Sequence, residues 1–259
     1  MRTVHIAGAS ERTRSFLGYA FDRLEFTDVL ALLQQEPDNR QFRYVVTPNV
    51  DHVVRRADQP DFARACDAAW LTLCDSRPLR AAARLFSVRL PLVTGSDLTA
   101  TLFHHVIPDG SRIAVIAPTR EVLDALASQF PAFEIVGHVP PSGIDTKPEA
   151  LAQCVRFIAQ AEARYVFIAI GCPRSERIAY LASLDPQARG TGFCVGAALE
   201  FVTGRKSRAP LWMRRICLEW LHRLATDPAR LWRRYLFAVP RLAALLAAEA
   251  RNRRAAPAR

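Results

Sequence analysis

Tyr165-Val166-Phe167-Ile168-Ala169-Ile170 is a short apolar run, rich in β-branched and aromatic residues, that stops at Gly171-Cys172-Pro173-Arg174 before a helical pattern over Glu176–Ser183. A strand, a tight loop and a helix in that order form the repeating unit of a parallel sheet. The succession recurs outward in both directions. Strands are expected at Thr3–Ala7, Arg43–Thr47, Trp70–Cys74, Ile113–Ala117, Phe133–Gly137 and Phe193–Gly196. Between them, helical periodicity covers Thr27–Gln35, Phe62–Ala68, Leu79–Phe86, Leu98–His105, Glu121–Gln129 and Pro148–Ala163. Alternation of this kind predicts an α/β fold with a largely parallel sheet and flanking helices.

The strand ends carry the small, polar and charged residues: Thr47-Pro48-Asn49, Asp75-Ser76-Arg77-Pro78, Thr94-Gly95-Ser96-Asp97 and Gly171-Cys172-Pro173-Arg174. In an open, Rossmann-like sheet such loops share the carboxyl edge, where ligands bind. They are therefore expected to be neighbours in space.

The chain has 259 residues, half of them apolar, enough for a substantial core, and a formal charge of +10. That charge is unevenly distributed. Residues 1–204 hold 21 Lys and Arg against 22 Asp and Glu, whereas residues 205–259 hold 14 against three, Glu219, Asp227 and Glu249. We expect an α/β body over 1–204 and a basic helical C-terminal appendage over 205–259. Such a segment suits an anionic partner: lipid headgroups, a diphosphate or nucleic acid. Leu211–Leu224 reads as an amphipathic helix, with Trp212, Ile216 and Trp220 on one face beside Met213 and Leu221. Asp227-Pro228 reads as a cap opening a second helix through Trp232, Tyr235 and Leu236, and Pro240 is expected to separate it from an Ala/Leu-rich last helix that frays from about Asn252.

Other classes are disfavoured. Cys66, Cys74, Cys154, Cys172, Cys194 and Cys217 are scattered, with no CxxC pair, so neither a disulfide framework nor a metal site is indicated and reduced thiols are expected. The apolar run near the N-terminus is too brief for a signal-peptide core, and no uninterrupted apolar stretch reaches the ~18 residues of a membrane-spanning helix. Membrane contact should thus be peripheral. Gly8-Ala9-Ser10 lacks the later glycines of a dinucleotide fingerprint. His52, His104, His105, His138 and His222 have no carboxylate or cysteine at ligand spacing in the sequence and read as core or surface residues. No nucleic-acid module is recognisable in the tail.

Asp75 closes an apolar strand, a setting that suits a general base, and equally suits a cap for the helix beginning near Pro78. Thr47 and Asn49 offer a hydroxyl and an amide to a sugar, or plain turn chemistry beside Pro48. Asp97 could meet a donor sugar or cap the helix starting at Leu98. Arg174, behind Gly171 at a helix start, is placed to meet a diphosphate, or to lie on the surface of a tight turn. In the tail Arg208, Arg214, Arg215, Arg223, Arg230, Arg233 and Arg234 suit phosphates, while Trp212, Trp220 and Trp232 suit the headgroup level or packing against the body.

Tail segments Gly204-Arg205-Lys206-Ser207-Arg208-Ala209-Pro210, Leu218-Glu219-Trp220-Leu221-His222-Arg223-Leu224 and Pro228-Ala229-Arg230-Leu231-Trp232-Arg233-Arg234-Tyr235 resemble the ordered motifs of the WecG/TagA/CpsF family of bacterial glycosyltransferases. Thr47-Pro48-Asn49, Gly95 with Asp97, and Gly171-Cys172-Pro173-Arg174 are similar to its strand-end motifs. The resemblance implies an inverting enzyme that moves a sugar from a UDP-sugar donor to a polyprenyl-diphosphate-linked saccharide, on the inner face of the cytoplasmic membrane, in exopolysaccharide or cell-surface glycan synthesis. It also implies Asp75 as base and a homo-oligomer. With no DxD-like pair in a strand-end loop, no metal and no cofactor are expected, and arginines would stabilise the departing diphosphate. Three departures stand out: Ser76 where the family usually has glycine, Ser175 where it usually has glutamine, and Glu200 where it usually has aspartate. They motivate a second expectation, a catalytically weakened peripheral subunit that binds nucleotide sugar or lipid diphosphate.

Overall fold

The computed structural model describes residues 12–35, 41–207, 209–210, 212–213, 219–226 and 228–255. It opens with an antiparallel hairpin, β1 (Thr13–Phe16) and β2 (Tyr19–Asp22), which the sequence reading did not anticipate. Its turn is Leu17-Gly18, both at positive φ, and leucine in that region is not a residue that signals a turn. The strand expected at Thr3–Ala7 lies outside the described residues.

Helix α1 (Phe26–Gln34) follows, then β3 (Arg43–Val46), α2 (Val50–Asp58), α3 (Pro60–Asp67), β4 (Leu71–Thr72), α4 (Arg77–Leu85) and α5 (Gly95–Thr101), which continues into a π-helical turn over Leu102–Val106. Next come β5 (Arg112–Ile116), α6 (Arg120–Gln129), β6 (Glu134–His138), α7 (Pro148–Gln160), β7 (Tyr165–Ile168), α8 (Arg174–Leu184), β8 (Thr191–Cys194) and α9 (Ala198–Val202). Strands β3 to β8 form one six-stranded sheet in the order β4-β3-β8-β7-β5-β6, with every neighbouring pair parallel. The expected α/β architecture is present. The run expected as strand over Trp70–Cys74 contributes only Leu71–Thr72 to the ladder, and Cys74 adds an isolated parallel bridge to Leu92.

Side chains alternate across a strand, and the central strands bury both sets. Val45, Ile113, Val115, Tyr165, Phe167 and Phe193 face the layer built by α1, α5, α6 and α9. Their neighbours Tyr44, Val46, Ala114, Ile116, Val166, Ile168 and Cys194 face α7 and α8. A third cluster joins the hairpin to α2, α3 and α4 through Phe16, Tyr19, Phe21, Val53, Phe62 and Leu79. Asp22 fastens this unit to the sheet edge: its carboxylate accepts from Arg12 at 2.7 Å and from the Thr72 N–H of edge strand β4 at 2.7 Å. Burial pushes the Asp22 carboxyl upward, and the Thr72 N–H and Arg12 partly restore it.

The C-terminal region holds α10 (Glu219–Thr226) and α11 (Pro228–Ala255). Pro240 lies inside α11 and does not divide it, contrary to the sequence reading. A proline forfeits only its own bond to the carbonyl four residues back, here that of Leu236, on an exposed stretch where water takes its place. The helix runs on to Ala255, past Asn252. From Arg241 onward α11 is held by the body. Arg241 pairs with Asp58, Leu242, Leu245 and Leu246 pack on the third cluster, and Arg253 donates to the Ser15 carbonyl at 2.9 Å. The cap expected at Asp227 lies outside the described residues, and of the helix expected over Leu211–Leu224 residues 212–213 and 219–224 are described, all helical.

Candidate active site

Three loops meet at the carboxyl edge of β3 and β4. Beyond β3, Thr47 is buried and its hydroxyl donates to the Cys194 carbonyl at the end of β8, at 3.4 Å. The Asp75 N–H donates to the Pro48 carbonyl at 3.0 Å, which ties the loop after β4 to the loop after β3. The bridge between Cys74 and Leu92 then delivers Thr94-Gly95 to the same place. Gly95 is the contact point: a methyl group there would lie 3.0 Å from Thr47 Oγ1 and 3.6 Å from Asp75 Oδ2. A side chain at this position would have to push the Thr47 hydroxyl aside. Thr47, Asp75 and Gly95 are thus brought together.

The side chain that caps α4 is Ser76, whose Oγ accepts the Leu79 N–H at 3.2 Å. Asp75 is therefore not the cap, and its half-buried carboxylate lines Gly95 together with the Thr47 hydroxyl, a setting in which it can take a proton from an approaching hydroxyl. Asp97 is different. Helix α5 starts at Gly95 rather than Leu98, Thr94 caps it by accepting the Asp97 N–H at 3.1 Å, and the Thr94 hydroxyl donates to Asp97 Oδ2 at 2.6 Å. The Asp97 carboxylate belongs to this first turn.

Asn49 caps α2, its Oδ1 accepting the Asp51 N–H at 3.0 Å. One turn on, His52 is buried between Asn49 and α8: Nδ1 lies 3.1 Å from Asn49 Oδ1 and Nε2 lies 3.2 Å from Glu176 Oε1. The sequence holds no carboxylate or cysteine at ligand spacing from His52, but the fold brings Cys172, in the loop after β7, and Glu176, on α8, close to it. Ligand atoms of His52, Cys172 and Glu176 lie within 4.8 Å of one another, the one such group among the described residues. Imidazole, thiol and carboxylate are ligands zinc accepts, but both ring nitrogens of His52 already face oxygen atoms. Burial, then Glu176 and Asp51, push the Cys172 thiol upward, so it is held protonated.

Gly171 has a φ of +82°, which turns the chain sharply between β7 and α8, and the Cys172–Pro173 bond is cis. Arg174 is the first residue of α8 and is half-buried, with no carboxylate of the described residues in ion-pair reach. A guanidinium at the amino end of a helix suits a phosphate. Behind it, Ser175 Oγ and Glu176 Oε2 are buried with no partner among the described residues. Glu200 pairs with Lys206 at 2.9 Å.

Of the tail cations, Arg208, Arg214 and Arg215 lie outside the described residues, and for Arg223, Arg230, Arg233 and Arg234 the backbone alone is described. The described part of the tail exposes several large apolar side chains. Leu236, Phe237 and Val239 are 58%, 72% and 64% exposed, and Trp212 and Trp232 are 61% and 48% exposed. Among the described residues no helix is long and apolar enough to cross a membrane.

A profile of the Glycosyl transferase WecG/TagA/CpsF family matches residues 14–256. An N-acetylglucosaminyldiphosphoundecaprenol N-acetyl-beta-D-mannosaminyltransferase of Bacillus subtilis (strain 168) is 31% identical over 134 residues, covering 51% of this chain and 49% of the relative. The protein of the same name from Bacillus spizizenii (strain ATCC 23059 / NRRL B-14472 / W23) is 27% identical over 205 residues, 77% of each chain. The first alignment thus spans about half of its relative's length.

Proposed function

Because this chain belongs to the WecG/TagA/CpsF glycosyltransferase family, we propose that it moves a sugar, with inversion, from a UDP-sugar to a hydroxyl of a polyprenyl-diphosphate-linked saccharide. The observation that carries this reading is the convergence of Thr47 Oγ1 and Asp75 Oδ2 on the open side-chain position of Gly95 at the sheet's ligand edge. Asp75 takes the proton of the acceptor hydroxyl as its oxygen attacks the anomeric carbon from the face opposite UDP. The bond from that carbon to the diphosphate oxygen breaks, and its electron pair leaves with UDP. Thr47 and Asn49 hold the reacting sugars in register. Arg174 and the tail arginines Arg208, Arg214, Arg215, Arg223, Arg230, Arg233 and Arg234 meet the negative charge of donor and acceptor diphosphates, so the reaction proceeds without a metal.

In this reading residues 1–204 form the reacting body and residues 205–259 bring it to the inner face of the cytoplasmic membrane. The exposed Trp232, Leu236, Phe237 and Val239 enter the headgroup boundary and the arginines face anionic lipid. The names of the two Bacillus relatives support an undecaprenyl-linked acceptor and an N-acetylhexosamine donor. The test is a screen of UDP-sugars by UDP release with a synthetic polyprenyl-diphosphate saccharide. Release that depends on both substrates is expected; UDP-sugar binding with no release from any donor–acceptor pair would favour a binding subunit instead.

A further inference from the structure

Asn49 Oδ1 accepts the Asp51 N–H, and this fixes which way the amide faces, since a flipped amide would set its own N–H groups against that donor. The same oxygen lies 3.1 Å from His52 Nδ1. An amide oxygen only accepts, so Nδ1 carries the ring proton. On the far side Nε2 meets Glu176 Oε1 at 3.2 Å, within hydrogen-bond distance. Both partners are buried, with side chains 9% and 2% exposed, and His52 also rests against the Phe62 ring at 5.8 Å between centroids. A buried pair of this type is a poor device for stability, because well-packed apolar side chains in its place are often as stable or more so. Its effect here is directional. With Oδ1 engaged twice, the Nδ2 group is the side of the Asn49 amide left for a ligand.

We infer that His52 and Glu176 are positioning residues that lock the Asn49 amide with its Nδ2 donor turned to the substrate. Glu176 holds the imidazole upright, and the imidazole holds the amide. The inference rests on the proposed role of Asn49 in binding substrate, and the experiment separates the two.

In full-length protein, His52→Phe keeps the ring and its packing on Phe62 but removes the donor to Asn49, whereas His52→Asn returns an N–H near the Nδ1 position. We expect His52→Phe to raise KM about tenfold with kcat within about twofold, and His52→Asn to recover part of that loss. In an Asn49→Ala background His52→Phe should have no further effect on KM, because the group it positions is gone. Glu176→Gln should shift KM in the same direction as His52→Phe. A His52→Phe penalty of the same size with and without Asn49 would overturn the inference, as would an unchanged KM for His52→Phe where Asn49→Ala raises it. An Asn49→Ala enzyme with wild-type KM would remove the proposed role of Asn49 itself. Stoichiometric zinc in the purified protein, lost in Cys172→Ser, would also overturn it, for a metal rather than the Glu176 carboxylate would then orient His52.

Discussion

The carboxyl edge of the sheet and the last helix handle their side chains in opposite ways. At the edge, Thr47, Asn49, His52, Asp97 and Glu176 have named partners between 2.6 and 3.4 Å, and the side chains of Thr47 and Asp75 close on Gly95. On α11, from Trp232 to Val239, large apolar side chains stand in solvent beside arginines. A region whose side chains are held by hydrogen bonds on several elements suits a reaction that tolerates little displacement. In the proposed function, the region that exposes Phe237 and Leu236 is covered by the membrane surface rather than by its own fold. The contrast teaches that the two ends of the chain should fail separately when mutated.

The largest break is expected at Asp75. Asp75→Asn keeps the shape and the backbone bond to Pro48 while removing the base, and should lower kcat by about 10²–10⁴ with an unchanged melting temperature, read by UDP release and calorimetry. Gly95→Ala sharpens the same region. A methyl 3.0 Å from Thr47 Oγ1 must push that hydroxyl by a few tenths of an ångström, and a loss of activity of about tenfold with intact nucleotide-sugar binding is expected. On the other side of the comparison, Phe237→Ser should weaken binding to vesicles containing anionic lipid about fivefold, through lost apolar insertion. Its turnover on a water-soluble acceptor should not change.

The smallest effect concerns neither region. His138 at the end of β6 is half-buried against Phe157, its Nε2 is buried without a partner among the described residues, and burial holds its pKa below the usual 6.5. A depressed folded pKa means the unfolded chain takes up the proton first. The contribution of His138 is therefore complete above pH 6.5 and lost as the pH falls from there through the folded value. His138→Phe should flatten that part of the stability profile, measured as melting temperature against pH.

The sheet was legible in the sequence because β-branched runs such as Tyr165–Ile168 have no other use in a chain of this length. The hairpin was not, since its turn is made by Leu17-Gly18, and α2 was not, since its buried side consists of His52 and Val53 with charged residues on either side. Pro240 misled because a proline is an indicator of helix ends, whereas an exposed helix already held by Leu242, Leu245 and Leu246 tolerates one. At the candidate site, the neighbourhood of Thr47, Asp75 and Gly95 follows from the rule that strand-end loops share an edge. The pairing of His52 with Glu176 does not: the residues are 124 positions apart and meet because α8 packs across β3. Helix caps were half legible. Ser76 and Thr94 fill the cap roles that the sequence reading offered to the neighbouring Asp75 and Asp97.

The division between a reacting edge and a membrane-facing helix is tested most directly by one assay, UDP release with a short-chain, water-soluble diphosphate-linked acceptor, run on Asp75→Asn and Phe237→Ser side by side. Loss of about 10²–10⁴ in the first and wild-type turnover in the second is the expected result. Full turnover of Asp75→Asn, or an equal loss in both proteins, would contradict it.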